Sequence, residues 1–75
     1  MTIEVFSKSS CPMCVLTKDF LKRENIDFVE YDVEIDNTAR NLIQALGYQS
    51  VPVVLTDSQG WSGYRPDLLR KYRND

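Results

Sequence analysis

Seventy-five residues make one domain at most, taken as 1–75, and a chain that short hides only about 60–65% of the surface its unfolded form exposes. The 9 Lys and Arg set against 11 Asp and Glu leave a net charge of −2, which supplies no basic field for DNA or RNA. The opening "MTIEVFSKSS" lacks the basic segment and the roughly 7–15-residue apolar stretch of a secretory signal, and the longest apolar run, "VPVVL", is too short for a bilayer. The expectation is a soluble, cytoplasmic protein with no membrane partner, in a compartment where isolated structural disulfides are rare.

In chain order, "TIEVFS" (2–7) is a β-branched and aromatic run that reads as a strand, with Ile3 and Val5 on one face. The only two cysteines follow in "SSCPMCVLT". Pro12 lacks an N–H that a first helical turn does not use, and Met13, Leu16 and Phe20, with Thr17 and Leu21, recur at helical spacing, so a helix is predicted over about 12–24. "DFVEYDV" (27–33) is a second strand, with Phe28 on the opposite face from Val29, Tyr31 and Val33, and it closes a right-handed β-α-β unit. "DNTARNLIQALG" offers Asp36 or Asn37 as N-cap, places Ala39, Leu42, Ile43 and Leu46 on one face and stops at Gly47. "VPVVLT" (51–56) is a third strand, "DSQG" a turn, "WSG" a last short strand, and Pro66 starts a third helix. The order β-α-β-α-β-β-α defines an α/β class: a small mixed sheet with helices on both faces.

The cysteines have three readings. A disulfide across so small a loop stabilises by only ~2 kcal/mol, which makes a poor staple. A tetrahedral zinc site needs four ligands, and the chain has no histidine and no third cysteine, so carboxylates or a second chain would have to complete it. The third reading is a dithiol that cycles, for which Cys-x-x-Cys between a strand and a helix of a β-α-β unit is the signature. Cys11 falls at or just before the first helical turn, where free N–H groups and the helix dipole favour a thiolate. Cys14, one turn in, is better shielded. Cys11 is therefore the expected attacking thiol and Cys14 the resolving one, with Cys14 attacking Cys11 to release the reduced substrate. Lys8 either adds favourable charge near Cys11 or is a solvated lysine at a strand end. Pro52 either caps a strand or sits cis and aims the Val51 backbone at the cysteine loop, ready for strand-like contact with a substrate.

Cys11-Pro12-Met13-Cys14, the "SVPVV" stretch and the element order together resemble the glutaredoxin and thioredoxin superfamily across essentially the whole chain. The closing "WSGYRPD" (61–67) is more specific and resembles the signature of the NrdH-redoxins, small glutaredoxin-like proteins that behave as thioredoxins. The resemblance implies a thioredoxin-like fold with a four-stranded mixed sheet. It also implies a thiol–disulfide oxidoreductase that binds no cofactor beyond its Cys11–Cys14 disulfide. The implied partners are thioredoxin reductase, which passes on electrons from NADPH, and the large subunit of class Ib ribonucleotide reductase, with the protein acting as a monomer. Carried over residue by residue, Cys11 is the nucleophile, Cys14 the resolving thiol and Pro52 the cis-proline. Lys8, Pro12, Met13, Val51, Trp61, Ser62, Gly63 and Arg65 fall to substrate or partner contact, and Pro66 and Asp67 to the structural end of the motif. Tyr64 stands where phenylalanine is common, and the loop pair Pro12-Met13 differs from the family's usual choices.

Glutaredoxins of similar length tend to carry a "GG-x-D-D" stretch whose backbone and aspartates hold the charged ends of glutathione. Here Ser62-Gly63 and Arg65-Pro66-Asp67 stand instead, so a glutathione pocket is not expected. The same residues also have a structural reading: Trp61 as an exposed-edge aromatic, Pro66 as the first residue of a helix and Asp67 as a complement to its dipole. Arg65, Arg70, Lys71 and Arg73 form a basic end that either complements the last helix or docks an acidic partner.

Overall fold

A computed structural model of the chain describes residues 2–73. Four strands, β1 (Ile3–Ser7), β2 (Phe28–Asp32), β3 (Val53–Leu55) and β4 (Gly60–Ser62), alternate with helices α1 (Pro12–Arg23), α2 (Asn37–Ala45) and α3 (Pro66–Leu69). A single 3₁₀ turn, Arg70–Tyr72, continues α3. The sheet order is β2-β1-β3-β4, with β1 and β2 parallel and the other two pairings antiparallel. Among the described residues, no helix is long and apolar enough to cross a membrane.

β1 lies between two neighbours and is covered on both faces, so its side chains divide between two cores. Ile3 and Val5 pack with Phe20, Leu21, Ile26, Val54, Trp61 and Leu69 beneath α1 and α3. Phe6 points the other way and packs with Val33, Ala39, Ile43 and Val53 beneath α2, its ring stacked on Tyr31 at 5.1 Å. The pleat of period two produces this division. Phe28 packs against the first core and Tyr31 against the second, the opposite faces that the alternation predicts. The element order, the mixed sheet and the helices on both faces make this a thioredoxin-like fold.

The two long helices stop in the same way. Asn25 (φ 56°) follows α1 and Gly47 (φ 93°) follows α2, both in the left-handed region that asparagine and glycine tolerate. Asn25 N–H donates to Lys22 O at 3.2 Å and Ile26 N–H to Leu21 O at 2.9 Å; Gly47 N–H donates to Gln44 O at 3.0 Å and Tyr48 N–H to Ile43 O at 3.0 Å. Each pair leaves an apolar contact across the helix end, Leu21 with Ile26 in one core and Ile43 with Tyr48 in the other. Asp36 caps α2 by accepting from Ala39 N–H at 3.0 Å.

The helical faces differ from the predicted ones. On α1 the buried stripe is Cys14, Thr17, Phe20 and Leu21, while Met13 and Leu16 remain 45% and 48% exposed. Thr17 belongs in the stripe because its hydroxyl is satisfied by donating to Met13 O at 2.9 Å. On α2 only Ala39 and Ile43 are buried, and Leu42 and Leu46 flank the stripe on the solvent side. Strand β3 begins at Val53 rather than at residue 51, since Pro52 has no N–H to give a ladder.

One ion pair ties the crossover helix to the sheet. Lys18 Nζ lies 2.7 Å from Glu30 Oε2, which also accepts from the Ser7 hydroxyl at 2.7 Å. The Lys18 bond, followed by that of Ser7, holds the Glu30 carboxyl below the usual carboxylate range, against a smaller opposing effect of burial. A lowered folded-state pKa gives stability that is present above the unfolded value and is lost as pH falls through the folded one. Glu30→Gln is therefore expected to lower the unfolding free energy obtained from urea denaturation at pH 7 by under about 1 kcal/mol, since the pair is partly exposed and screened. Denaturation curves of the two proteins should converge once the pH falls below the lowered folded-state pKa of Glu30. A gap that persists there would assign the effect to packing.

Candidate active site

The turn from β1 to α1 carries the cysteines, and its shape is held from outside. Ser10 stands in the left-handed region (φ 57°), and Glu34, in the connection between β2 and α2, accepts from Ser9 N–H at 2.9 Å and from the Ser9 hydroxyl at 2.6 Å. These bonds, the hydroxyl's first, keep the Glu34 carboxyl below its ordinary range, with a further contribution from the charge of Lys8. Spacing along the chain does not point to Glu34, because its partner Ser9 lies on a distant segment.

Cys11 sits just ahead of α1 with extended backbone, and its sulfur accepts from Cys14 N–H at 3.2 Å. Its carbonyl takes the first helical bond, from Val15 N–H at 3.1 Å. Pro12 fills the first helical position without an N–H to leave unpaired, and no acidic residue lies in the first turn. Negative charge on Cys11 Sγ thus meets one aimed N–H and the positive end of a helix dipole. Cys11 and Cys14 are joined as a disulfide with their Cα atoms 5.2 Å apart. Cys11 is 9% exposed and Cys14 1%, so an external sulfur can reach the first and not the second. In the reduced protein, iodoacetamide at about pH 6, where a free thiol of pKa ~8.5 is almost wholly protonated, is expected to modify Cys11 first. Mass mapping that found Cys14 modified first would reverse the order of roles.

The Val51–Pro52 peptide bond is cis, and Val51 O stands 3.9 Å from Cys11 Sγ, a packing contact in the disulfide and a position to which a Cys11 thiol can donate. Pro52 is wholly buried, and its carbonyl accepts from Gly63 N–H at 2.8 Å. Gly63 itself is left-handed (φ 87°), and a Cβ there would stand 3.6 Å from Met13 Cε. Cys11, Met13, Val51 and Gly63 therefore form one rim, drawn from three separate segments of the chain.

The remaining expected site residues lie elsewhere. Trp61 is not an exposed-edge aromatic: it is 6% exposed, packed in the first core and stacked on Tyr72 at 6.3 Å, with its indole Nε1 buried and unpaired. Tyr72, in the 3₁₀ turn after α3, closes over it, so Trp61 does not reach the surface. Ser62 is exposed on β4, in register with Val53. Arg65 makes a two-pronged pair with Asp67, at 3.1 Å and 2.9 Å, and this bond holds the Asp67 carboxyl below its usual range. Pro66 occupies the first position of α3. Lys8 lines a cleft of about 480 Å3 on the α2 side of Val51, together with Arg40, Gln44 and Gln49, none of which the sequence reading had singled out. Among the described residues, no cluster of three or more Cys, Asp or Glu side chains is placed to hold a metal ion.

A thioredoxin-like fold with a Cys-x-x-Cys disulfide at the start of its first helix and a cis-proline facing it defines the class: this is a dithiol–disulfide oxidoreductase. The glutaredoxin family model matches residues 3–61, and the chain belongs to the glutaredoxin family. It is 30% identical to the glutaredoxin-like protein NrdH of Escherichia coli over 95% of this chain and 88% of that one. It is 43% identical to a glutaredoxin-like 8.6 kDa protein in a rubredoxin operon of Clostridium pasteurianum, over 92% and 93% of the two chains. The structure superposes on the NrdH-redoxin of Escherichia coli with a TM-score of 0.94 and 28% identity, covering 100% of this chain and 99% of that chain.

Proposed function

We propose that the protein is a cytoplasmic, monomeric electron carrier of the NrdH-redoxin kind. Thioredoxin reductase, fed by NADPH, reduces the Cys11–Cys14 disulfide, and the dithiol passes the electrons to the large subunit of a class Ib ribonucleotide reductase. The observation that carries this reading is the Arg65–Asp67 pair. Where glutaredoxins of similar length carry GG-x-D-D, Arg65 and Pro66 stand in place of the two aspartates, and Asp67, the next carboxylate along, is paired with Arg65 at the surface. The Escherichia coli NrdH-redoxin is itself described as having a thioredoxin-like activity profile.

The chemistry uses both sulfurs. The Cys11 thiolate attacks one sulfur of a substrate disulfide; that S–S bond breaks, and the other substrate sulfur leaves as a thiolate and takes a proton. Cys14 loses its proton and attacks Cys11 Sγ, which forms the internal disulfide and expels the second substrate thiolate. Two electrons move to the substrate and the dithiol is oxidised. The Val51 backbone, beside Cys11, is placed to hold the substrate as an added strand while this happens. Single turnover tests the delivery step: a stoichiometric amount of the reduced protein should support one round of deoxyribonucleotide formation by a class Ib enzyme. No product from a protein that still reduces small disulfides would remove ribonucleotide reductase from the reading.

A further inference from the structure

Met13 stands at the second position of α1, between the two cysteines, and is 45% exposed. Its Cε lies 3.6 Å from where a Cβ on Gly63 would stand, so the side chain reaches along the rim toward Gly63. The chain has two cysteines and two methionines, and Met1 falls outside the described residues. Cys11 and Cys14, joined to each other, are 9% and 1% exposed. Met13 therefore carries the one sulfur among the described residues that is not tied into the disulfide, and it is open to solvent beside the reactive one. A thioether is apolar and adaptable; its sulfoxide is polar.

Which sulfur an oxidant meets first depends on the state of the dithiol. A peroxide that reaches the reduced protein reacts with the Cys11 thiolate: the O–O bond breaks, one oxygen joins Cys11 as a sulfenic acid and the other leaves as water. Cys14 then displaces that oxygen as a second water and closes the disulfide. Both electrons come from the dithiol, and Met13 is untouched. In the disulfide form no thiolate remains, so the Met13 sulfur gives the two electrons instead; one peroxide oxygen becomes the sulfoxide oxygen and the other leaves as water.

We propose that Met13 is an oxidative modification site, at which hydrogen peroxide converts the thioether of the disulfide form to the sulfoxide and weakens the docking of protein disulfides on the rim. A partner that covers the rim must then strip water from a polar group for which it has no bond. A small disulfide reaches Cys11 without covering Met13. Reopening the disulfide leaves the sulfoxide in place, and a methionine sulfoxide reductase removes it. Protein that is being cycled is thus spared, and protein left oxidised by a failing electron supply is withdrawn from its protein substrates. The inference goes beyond the electron-carrier reading and rests only on its dithiol chemistry, not on the identity of the reductase.

The test uses the full-length protein and hydrogen peroxide. One equivalent added to the desalted dithiol form should close the disulfide and leave Met13 unmodified, whereas an excess added to the disulfide form should add one oxygen to Met13, as read by peptide mass mapping. After the disulfide is reopened, the treated protein should reduce insulin roughly tenfold more slowly than its own untreated sample, with hydroxyethyl disulfide changed by less than about twofold. Met13→Leu, which keeps the volume without the sulfur, should reduce insulin equally well before and after treatment. A Met13 that resists an excess of peroxide sufficient to oxidise a free methionine peptide would overturn the proposal. So would an unchanged insulin rate, an equal loss on both substrates, or an equal loss in Met13→Leu. Untreated protein that reduced neither substrate would overturn the dithiol reading as well.

Discussion

Cys11→Ser is expected to abolish disulfide reduction outright, and Cys14→Ser to convert the protein into a trap. Serine's hydroxyl is neither ionised near neutral pH nor able to form a disulfide, so without the Cys11 sulfur exchange cannot begin. Cys14 cannot take over, because it is buried beneath α1 and its side chain faces the core. In Cys14→Ser the attacking sulfur keeps its place ahead of the helix and still receives the N–H of residue 14, which belongs to the backbone and survives the substitution. The first step should proceed and the second should not, leaving a stable mixed disulfide with the substrate. Mass spectrometry of the reaction under non-reducing conditions reads this directly. Multiple turnovers by Cys14→Ser, with no external thiol present, would show that resolution does not need the internal partner.

Leu21→Ala carries the largest expected cost in stability. Leu21 is wholly buried, joins α1 to Ile3 and Val5 of the central strand, and its carbonyl anchors the end of the helix through Ile26 N–H. Truncating such a leucine costs about 2–5 kcal/mol. A domain of this size has roughly 4–11 kcal/mol to lose, so the variant should be largely unfolded at a temperature the parent withstands. Leu42→Ala, in contrast, removes a side chain that α2 leaves half-exposed and should change stability by less than about 0.5 kcal/mol. Urea midpoints of the two variants test the assignment of helix faces. Equal losses would restore Leu42 to the core.

What the sequence disclosed depends on how local each cause is. The cysteine loop, Pro12 at the helix start and Gly47 as stop all act within a few residues, so spacing is enough to place them, and it narrows the α2 cap to Asp36 or Asn37, of which Asp36 makes the bond. The buried stripes of α1 and α2 are legible in part: Thr17, Phe20, Leu21, Ala39 and Ile43 are buried as the spacing predicts, but Met13, Leu16, Leu42 and Leu46, apolar residues that bracket them, stay exposed, and Cys14 takes a place that its type does not announce. Trp61 was misplaced because its cover, Tyr72, is delivered by the turn after α3, and Tyr72 in turn is tied to Thr56, Ser58 and Gln59 through its hydroxyl. Of the cleft that Lys8 and Arg40 line, the sequence points to Lys8 alone: Arg40 joins it only because β1 packs under α2, which brings a strand end and a helix face together.

The central claim is the route by which electrons arrive. It is tested most directly by following NADPH oxidation with this protein as the only carrier to a disulfide substrate, once with thioredoxin reductase and once with glutathione and glutathione reductase. Because Arg65 and Pro66 stand where glutaredoxins carry the aspartates that hold the tripeptide, proximity gives glutathione little advantage, and the glutathione arm should run slowly. The thioredoxin reductase arm should turn over rapidly and should stop with Cys11→Ser. Rapid turnover with glutathione and none with thioredoxin reductase would contradict the account and leave a glutathione-dependent glutaredoxin in its place.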